Sequence, residues 1–116
     1  HHPQTEVSID IERYDRNIER VIPRFTDEQE LTIYRNLGLV NPGIVIWSIK
    51  EALFKILGKQ AVHFKTDLKI LSAEKTDQHL KSVTLIRHQD LVLQYQVNSL
   101  IFEPIILTYI DKEPIS

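Results

Sequence analysis

The 116-residue sequence contains no cysteine. That excludes disulfides, thiolate chemistry and zinc sites built on sulfur. The absence fits a reducing compartment, and a cytoplasmic location is the expectation. Only three glycines occur, and no Pro/Ser-rich linker, repeat or low-complexity tract interrupts the chain. No apolar run approaches the roughly 20 residues needed to span a bilayer, and no secretory signal pattern is present, so no membrane partner is expected. Strong net charge is also missing. Fourteen basic residues stand against sixteen acidic ones, a formal charge of −2, which argues against a chain-wide nucleic-acid surface. What remains is an ordinary globular composition, 42% apolar and 26% charged. The length suits a single domain over residues 1–116 with a modest core.

The charge is unevenly spread. Glu6 to Glu30 carries eight acidic and four basic residues, whereas Trp47 to Lys69 carries five lysines against Glu51 and Asp67. An acidic strand beside a basic helix would serve a metal ion and a polyphosphate together.

Glu6-Val7-Ser8-Ile9-Asp10-Ile11-Glu12 alternates polar and apolar residues and predicts a strand with one half-buried face. Asp10 and Glu12 then lie side by side on the other face. Close carboxylates repel unless something cationic joins them. The plainer account is a solvated strand face near an edge. Asp15 to Ile22 predicts a short helix, capped by Asp15 and stopped near Pro23. Thr26-Asp27-Glu28-Gln29 is a capping-box pattern with Thr26 at the N-cap, and the helix it opens runs to Asn36 or Leu37 before Gly38. Asn41-Pro42 opens a longer helix that ends at Gly58. The period then changes. Leu68–Ala73, Ser82–Arg87, Leu91–Val97 and Ile105–Ile110 read as strands, with turns at 76–78 and 88–90. A strand, two to three helices and then an antiparallel meander make an α+β fold, its sheet packed on the helices.

The long helix carries Trp47-Ser48-Ile49-Lys50-Glu51-Ala52-Leu53-Phe54-Lys55. Ile49, Leu53, Ile56 and Leu57 recur at three- and four-residue steps and bury one face. Glu51 and Lys55 share another face, where an exposed ion pair would contribute about 0.3–0.5 kcal/mol. Trp47 lies on the same row and reads as packing. Lys50 points about 100° from Glu51 around the helix and reads as structural or solvated.

These stretches resemble the signature of the 4'-phosphopantetheinyl transferases. Val7-Ser8-Ile9-Asp10-Ile11-Glu12 is similar to a family pattern in which Gly precedes Ile-Asp-Ile-Glu. Trp47-Ser48-x-Lys50-Glu51-Ala52-x-x-Lys55 resembles the second pattern, an aromatic residue followed by small-x-Lys-Glu-Ala-x-x-Lys. Ile22 to Glu30 resembles the segment that links them, and Gly58-Lys59 with Phe64-Lys65 the segment that follows. The resemblance implies an enzyme, a holo-acyl-carrier-protein synthase. Such an enzyme moves the phosphopantetheine arm of coenzyme A onto a serine of an apo acyl or peptidyl carrier protein and releases adenosine 3',5'-bisphosphate. It implies that Asp10, Glu12 and Glu51 hold Mg²⁺. Glu51 is also the implied catalytic base, and Lys55 a catalytic residue that contacts coenzyme A phosphate.

Three features depart from the family pattern. Ser8 stands where Gly is usual. A Ser-His-Ser-like segment with a phosphate-contacting histidine is missing, since His63, His79 and His88 lie in other contexts and read as surface residues. The chain is also half the size of the surfactin-type enzymes, which join two similar halves around one site. It is therefore read as the C-terminal half of such an enzyme, with the N-terminal half of the same chain as a partner. The alternatives are a small homotrimeric synthase and a non-catalytic carrier-protein-binding module of the same fold.

Overall fold

The computed structural model describes residues 7–58, 62–110 and 115. Strand β1 (Ser8–Arg13) comes first, then helices α1 (Ile22–Phe25), α2 (Glu28–Arg35) and α3 (Pro42–Leu57). Strands β2 (Leu68–Thr76), β3 (His79–His88), β4 (Leu91–Phe102) and β5 (Ile105–Ile110) follow. The five strands form one antiparallel sheet in the order β1-β5-β4-β3-β2. The α+β expectation holds. None of the helices described is long and apolar enough to cross a membrane.

The meander strands form where alternation and turn chemistry place them. Asp77 and Gln89 adopt positive φ between the strands, a conformation that polar turn residues tolerate. β2, β3 and β4 extend beyond their expected limits, because pairing continues through residues of weak propensity, whereas β5 keeps the limits expected. β1 returns from the start of the chain to pair with β5, Ser8 opposite Ile110 and Arg13 opposite Ile105.

Helix α3 packs on β1 and β5 and is the centre of the core. Its limits are those expected, with Asn41 as N-cap and Gly58 (φ +71°) at its end. More than one face is buried, however. Ile44, Val45, Ile46, Ile49, Ala52 and Leu53 are all inaccessible, because the sheet covers one side and α2 with the 62–67 loop the other. Asn41 does not cap with its side chain. Its amide reaches back to donate to the carbonyls of Tyr14 and Arg16, tying the segment after β1 to the start of α3. Gly43 lies where Ile22 packs on that first turn. A Cβ there would come within 2.8 Å of the Ile22 side chain.

Two helix expectations need correction. Residues 15–21 form turns, not a helix. The Asp15 carboxylate that was to cap that helix is bound by the Arg13 guanidinium, at 2.9–3.1 Å. Pro23 sits instead in the first turn of α1, where its missing N–H goes unnoticed. The cap of α2 is Asp27, one residue later than expected, and its carboxylate accepts from the Glu30 N–H at 3.0 Å. Thr26 turns its hydroxyl to the Glu30 carboxylate.

Candidate active site

β1 inverts the common strand pattern. Ser8 and Asp10 face the helices and are buried, while Val7, Ile9 and Ile11 face outward and are exposed. The solvated carboxylate face therefore does not occur at Asp10. The buried polar side is fixed by Ser8, whose hydroxyl donates to the Ala52 carbonyl of α3 at 2.8 Å. The residue that departs from the family's glycine thus bonds the strand to the helix beside Glu51.

That contact draws four residues from two elements into one seam. Lys55 donates to the Ile9 carbonyl at 2.7 Å and to Asp10 Oδ1 at 3.3 Å. Its ion pair is with the strand rather than with Glu51, so the simple helix pair is not what forms. Lys55 remains 49% exposed, whereas the Asp10 side chain is 7% exposed. Asp10 Oδ2 is buried without a donor. Burial pushes the Glu12 carboxyl up to about 7, the hydrogen bond and charge of Asp10 act in the same direction, and Glu51 adds to them. Arg16, paired with Glu12 at 3.2 Å, pulls the other way. Burial, followed by the charge of Asp10, raises Glu51, and Lys55 partly offsets this.

Asp10, Glu12 and Glu51 therefore feel one another's charge. Among the described residues, no three carboxylate or imidazole side chains are gathered so that they could hold a metal ion. The donor types are those a hard divalent cation takes. Its ligands are carboxylate oxygens, one buried oxygen has no partner, and the mutual repulsion is of the kind that a cation or a proton relieves.

Other side chains fall outside the seam. Trp47 packs edge-on against Phe25 (5.2 Å between centroids) and tilted against Phe64 (5.5 Å), as packing was expected. These three rings, with Arg16, Arg24 and His63, line a cavity of 450 Å³ one helical turn before Glu51. His63 is exposed, but His79 and His88 are half-buried and bonded to Asn98 and Asp67. None of the three histidines joins the acids. Lys50 is not solvated. It is fully buried and bonded to Glu30. The sequence held a signal for that burial, because Lys50 shares its helical row with Ile46 and Phe54. The inward turn of Ser8 and the Glu12–Arg16 pair had no such signal.

No curated protein matches the chain. The sequence model of the 4'-phosphopantetheinyl transferase superfamily matches residues 6–110, which takes in β1, all three helices and the whole sheet. That one continuous match spans the acids of β1 and the Glu51–Lys55 turn of α3. The chain belongs to the 4'-phosphopantetheinyl transferase superfamily, whose chemistry is phosphopantetheine transfer from coenzyme A to carrier proteins.

Proposed function

We propose that this chain is the catalytic half-domain of a Mg²⁺-dependent 4'-phosphopantetheinyl transferase of the surfactin type. The observation that carries the reading is the seam itself. Two acids of β1 and the Glu51–Lys55 turn of α3 meet there, and Asp10 keeps a buried oxygen without a donor.

Asp10, Glu12 and Glu51 would hold the cation. When bound, it would neutralise charge on the coenzyme A pyrophosphate. The serine hydroxyl of the carrier attacks the phosphorus that bears the pantetheine arm. A serine Oγ–P bond forms, and the bond from that phosphorus to the bridging oxygen breaks. The electron pair leaves with adenosine 3',5'-bisphosphate. The hydroxyl proton passes to Glu51, directly or through water. Lys55 is half-exposed at the lip of the seam. Its ammonium offsets charge that develops on the phosphoryl oxygens.

The outer face of the sheet supports the half-domain reading. Ile9 (51% exposed) and Ile11 (59%) of β1 lie beside Tyr109 and Leu107 of β5. Leu100 and Phe102 of β4 extend the same surface. A continuous apolar sheet face of this kind marks an interaction surface. Its occupant in this reading is the other half of the enzyme. A second copy of the chain, as in the small synthases, would cover the same face.

The test is transfer to an apo carrier protein, read as its mass gain with coenzyme A and Mg²⁺. The chain alone is expected to be poorly active as a monomer and active when joined to its other half. Glu51→Gln should abolish transfer there, and calorimetry should show weaker Mg²⁺ binding in Asp10→Ala. Robust transfer by the monomer would sink the half-domain reading, and transfer indifferent to Glu51 would sink the assigned chemistry. Sedimentation separates a second copy from a fused half.

A further inference from the structure

The most deeply buried charges of the described residues take no part in this chemistry. Lys50 and Glu30 pair at 2.8 Å with side chains 0% and 1% exposed. The Lys50 ammonium donates three bonds, to Glu30 Oε1, to the Phe25 carbonyl (2.7 Å) and to the Phe64 carbonyl (2.8 Å). An ammonium has three donors, so none is left over. Glu30 Oε1 also accepts from the Thr26 hydroxyl at 2.7 Å, and Oε2 accepts from the Ile70 N–H at 2.8 Å. One pair thus joins α1, α2, α3, the 62–67 loop and β2.

Stability alone does not explain it. Well-packed apolar side chains of similar volume hold a core as well as a buried ion pair does, or better. A charged pair instead fixes direction, because each bond demands a particular orientation. Residue 51 follows residue 50, about 100° around the helix. Fixing the azimuth of Lys50 therefore fixes that of Glu51.

We propose that Lys50, clamped by Glu30, is the positioning residue that sets the roll of α3 and so aims Glu51 at the acids of β1. The inference rests on the transferase reading of the seam. At the roughly 5–6 Å radius of a helix with its side chains, a 20° roll displaces a side chain by about 2 Å. Misplacement of about 1 Å can cost a hundredfold in rate. The sheet side of α3 is held by two buried hydroxyl bonds, Ser8 to the Ala52 carbonyl and Ser48 to Thr108, and by the half-exposed Lys55 on Ile9 and Asp10. The other side is held by three bonds to one cation. The same ammonium grips the carbonyls of Phe25 and Phe64, whose rings wall the cavity one turn before Glu51. Seam and cavity therefore share one reference point.

The test compares the wild-type protein, in its native full-length form, with the apolar double variant Lys50→Met/Glu30→Leu. Three quantities are read: thermal unfolding, Mg²⁺ affinity by calorimetry, and kcat and KM for transfer. The double variant leaves the Phe25 and Phe64 carbonyls and the Ile70 N–H without these partners and should melt below the wild type, so the other two quantities are read at a temperature where it is folded. Its Mg²⁺ affinity and kcat should each fall about 10–100-fold, the usual effect of losing a group that orients a ligand, while KM for coenzyme A changes little. A folded double variant with both values within twofold of wild type overturns the proposal. If the double variant does not fold, Glu30→Gln, which keeps the shape and removes the charge, is read at low temperature by the same criteria. The wild-type baseline separates the two readings. Absence of both Mg²⁺ binding and transfer in the wild type removes the transferase reading, and this inference with it. A normal wild type with an indifferent variant removes only the inference.

Discussion

Two lysines of α3 each meet a carboxylate, and the two regions behave in opposite ways. At Lys50–Glu30 every donor and acceptor is used and water is excluded. Burial lowers the Lys50 ammonium below the usual lysine range, outweighing the pull of Glu30. At Lys55–Asp10 the lysine is half in solvent, one of its bonds goes to a backbone carbonyl, and Asp10 Oδ2 has no donor. The first region is complete and has no capacity left for a ligand. The second is incomplete. The same two residue types, five positions apart on one helix, are a clamp in one place and an open site in the other. The difference lies in what remains unsatisfied.

The contrast is broken most severely at the clamp. Lys50→Met alone leaves the Glu30 charge buried and unpaired and should cost about 3–5 kcal/mol of stability, measured by urea unfolding. Adding Glu30→Leu should recover only part of it, because the Phe25 and Phe64 carbonyls and the Ile70 N–H still lose their partners. Equal loss in the single and double variants would contradict the closed-pair account. At the open pair the effect should move from stability to rate. Lys55→Ala in the full-length enzyme should lower turnover about a hundredfold, with a stability change under about 1 kcal/mol. Lys55→Arg should rescue only partly, because a planar fork does not replace a compact charge. Unchanged kinetics in Lys55→Ala would remove this residue from the site.

Smaller effects sharpen the comparison at the seam. Ser8→Ala removes one buried hydrogen bond to α3 and should cost about 1 kcal/mol, visible as a shifted unfolding midpoint at constant slope. Glu12 gives a pH signature. Its folded-state pKa of about 7 lies above the ordinary 4.5, so the folded state holds the proton more tightly than the unfolded chain. The stability this contributes is fully present below about pH 4.5 and is lost as pH rises through about 7. In metal-free buffer the melting temperature should therefore fall across that interval. Glu12→Gln should flatten the fall, and a wild-type profile identical to that of the variant would contradict the crowded-acid picture.

Locally determined features were legible. Asn41-Pro42 and Gly58 bound α3 because caps act within a few residues, and Asp77-Gln78 and Gln89-Asp90 turn the meander for the same reason. Features decided by distant partners were not. Asp15 is a good cap by type, yet Arg13 claims its carboxylate. Alternation tells that Ile9 and Ile11 share a face of β1, but not that this face turns away from the helices. Lys50 sits on an apolar helical row, but its partner Glu30, twenty positions earlier, is not marked by any local pattern. At the candidate site, Asp10, Glu12, Glu51 and Lys55 are marked out by the family resemblance of their two stretches, since type and spacing alone fit a solvated strand face and an exposed helix pair. Their mutual geometry depends on Ser8 meeting Ala52 across forty-four residues of chain, which no local pattern encodes.

The pairing of β1 with β5 has a consequence for how the protein is made. Ser8 waits for Ile110, so the strand that carries Asp10 and Glu12 is synthesised before every other strand of the sheet and pairs only with the last of them. Contacts so far apart in sequence close slowly. The β2–β3–β4 meander and α3 can gather first, and the acidic seam is then assembled last, by the docking of a single outer strand. Until that moment β1 is a short apolar and acidic ribbon without a sheet. Truncation within Ile105–Ile110 would therefore abolish the seam even though none of its acids or lysines lies there. Within this sheet, the strand made first is the one that docks last.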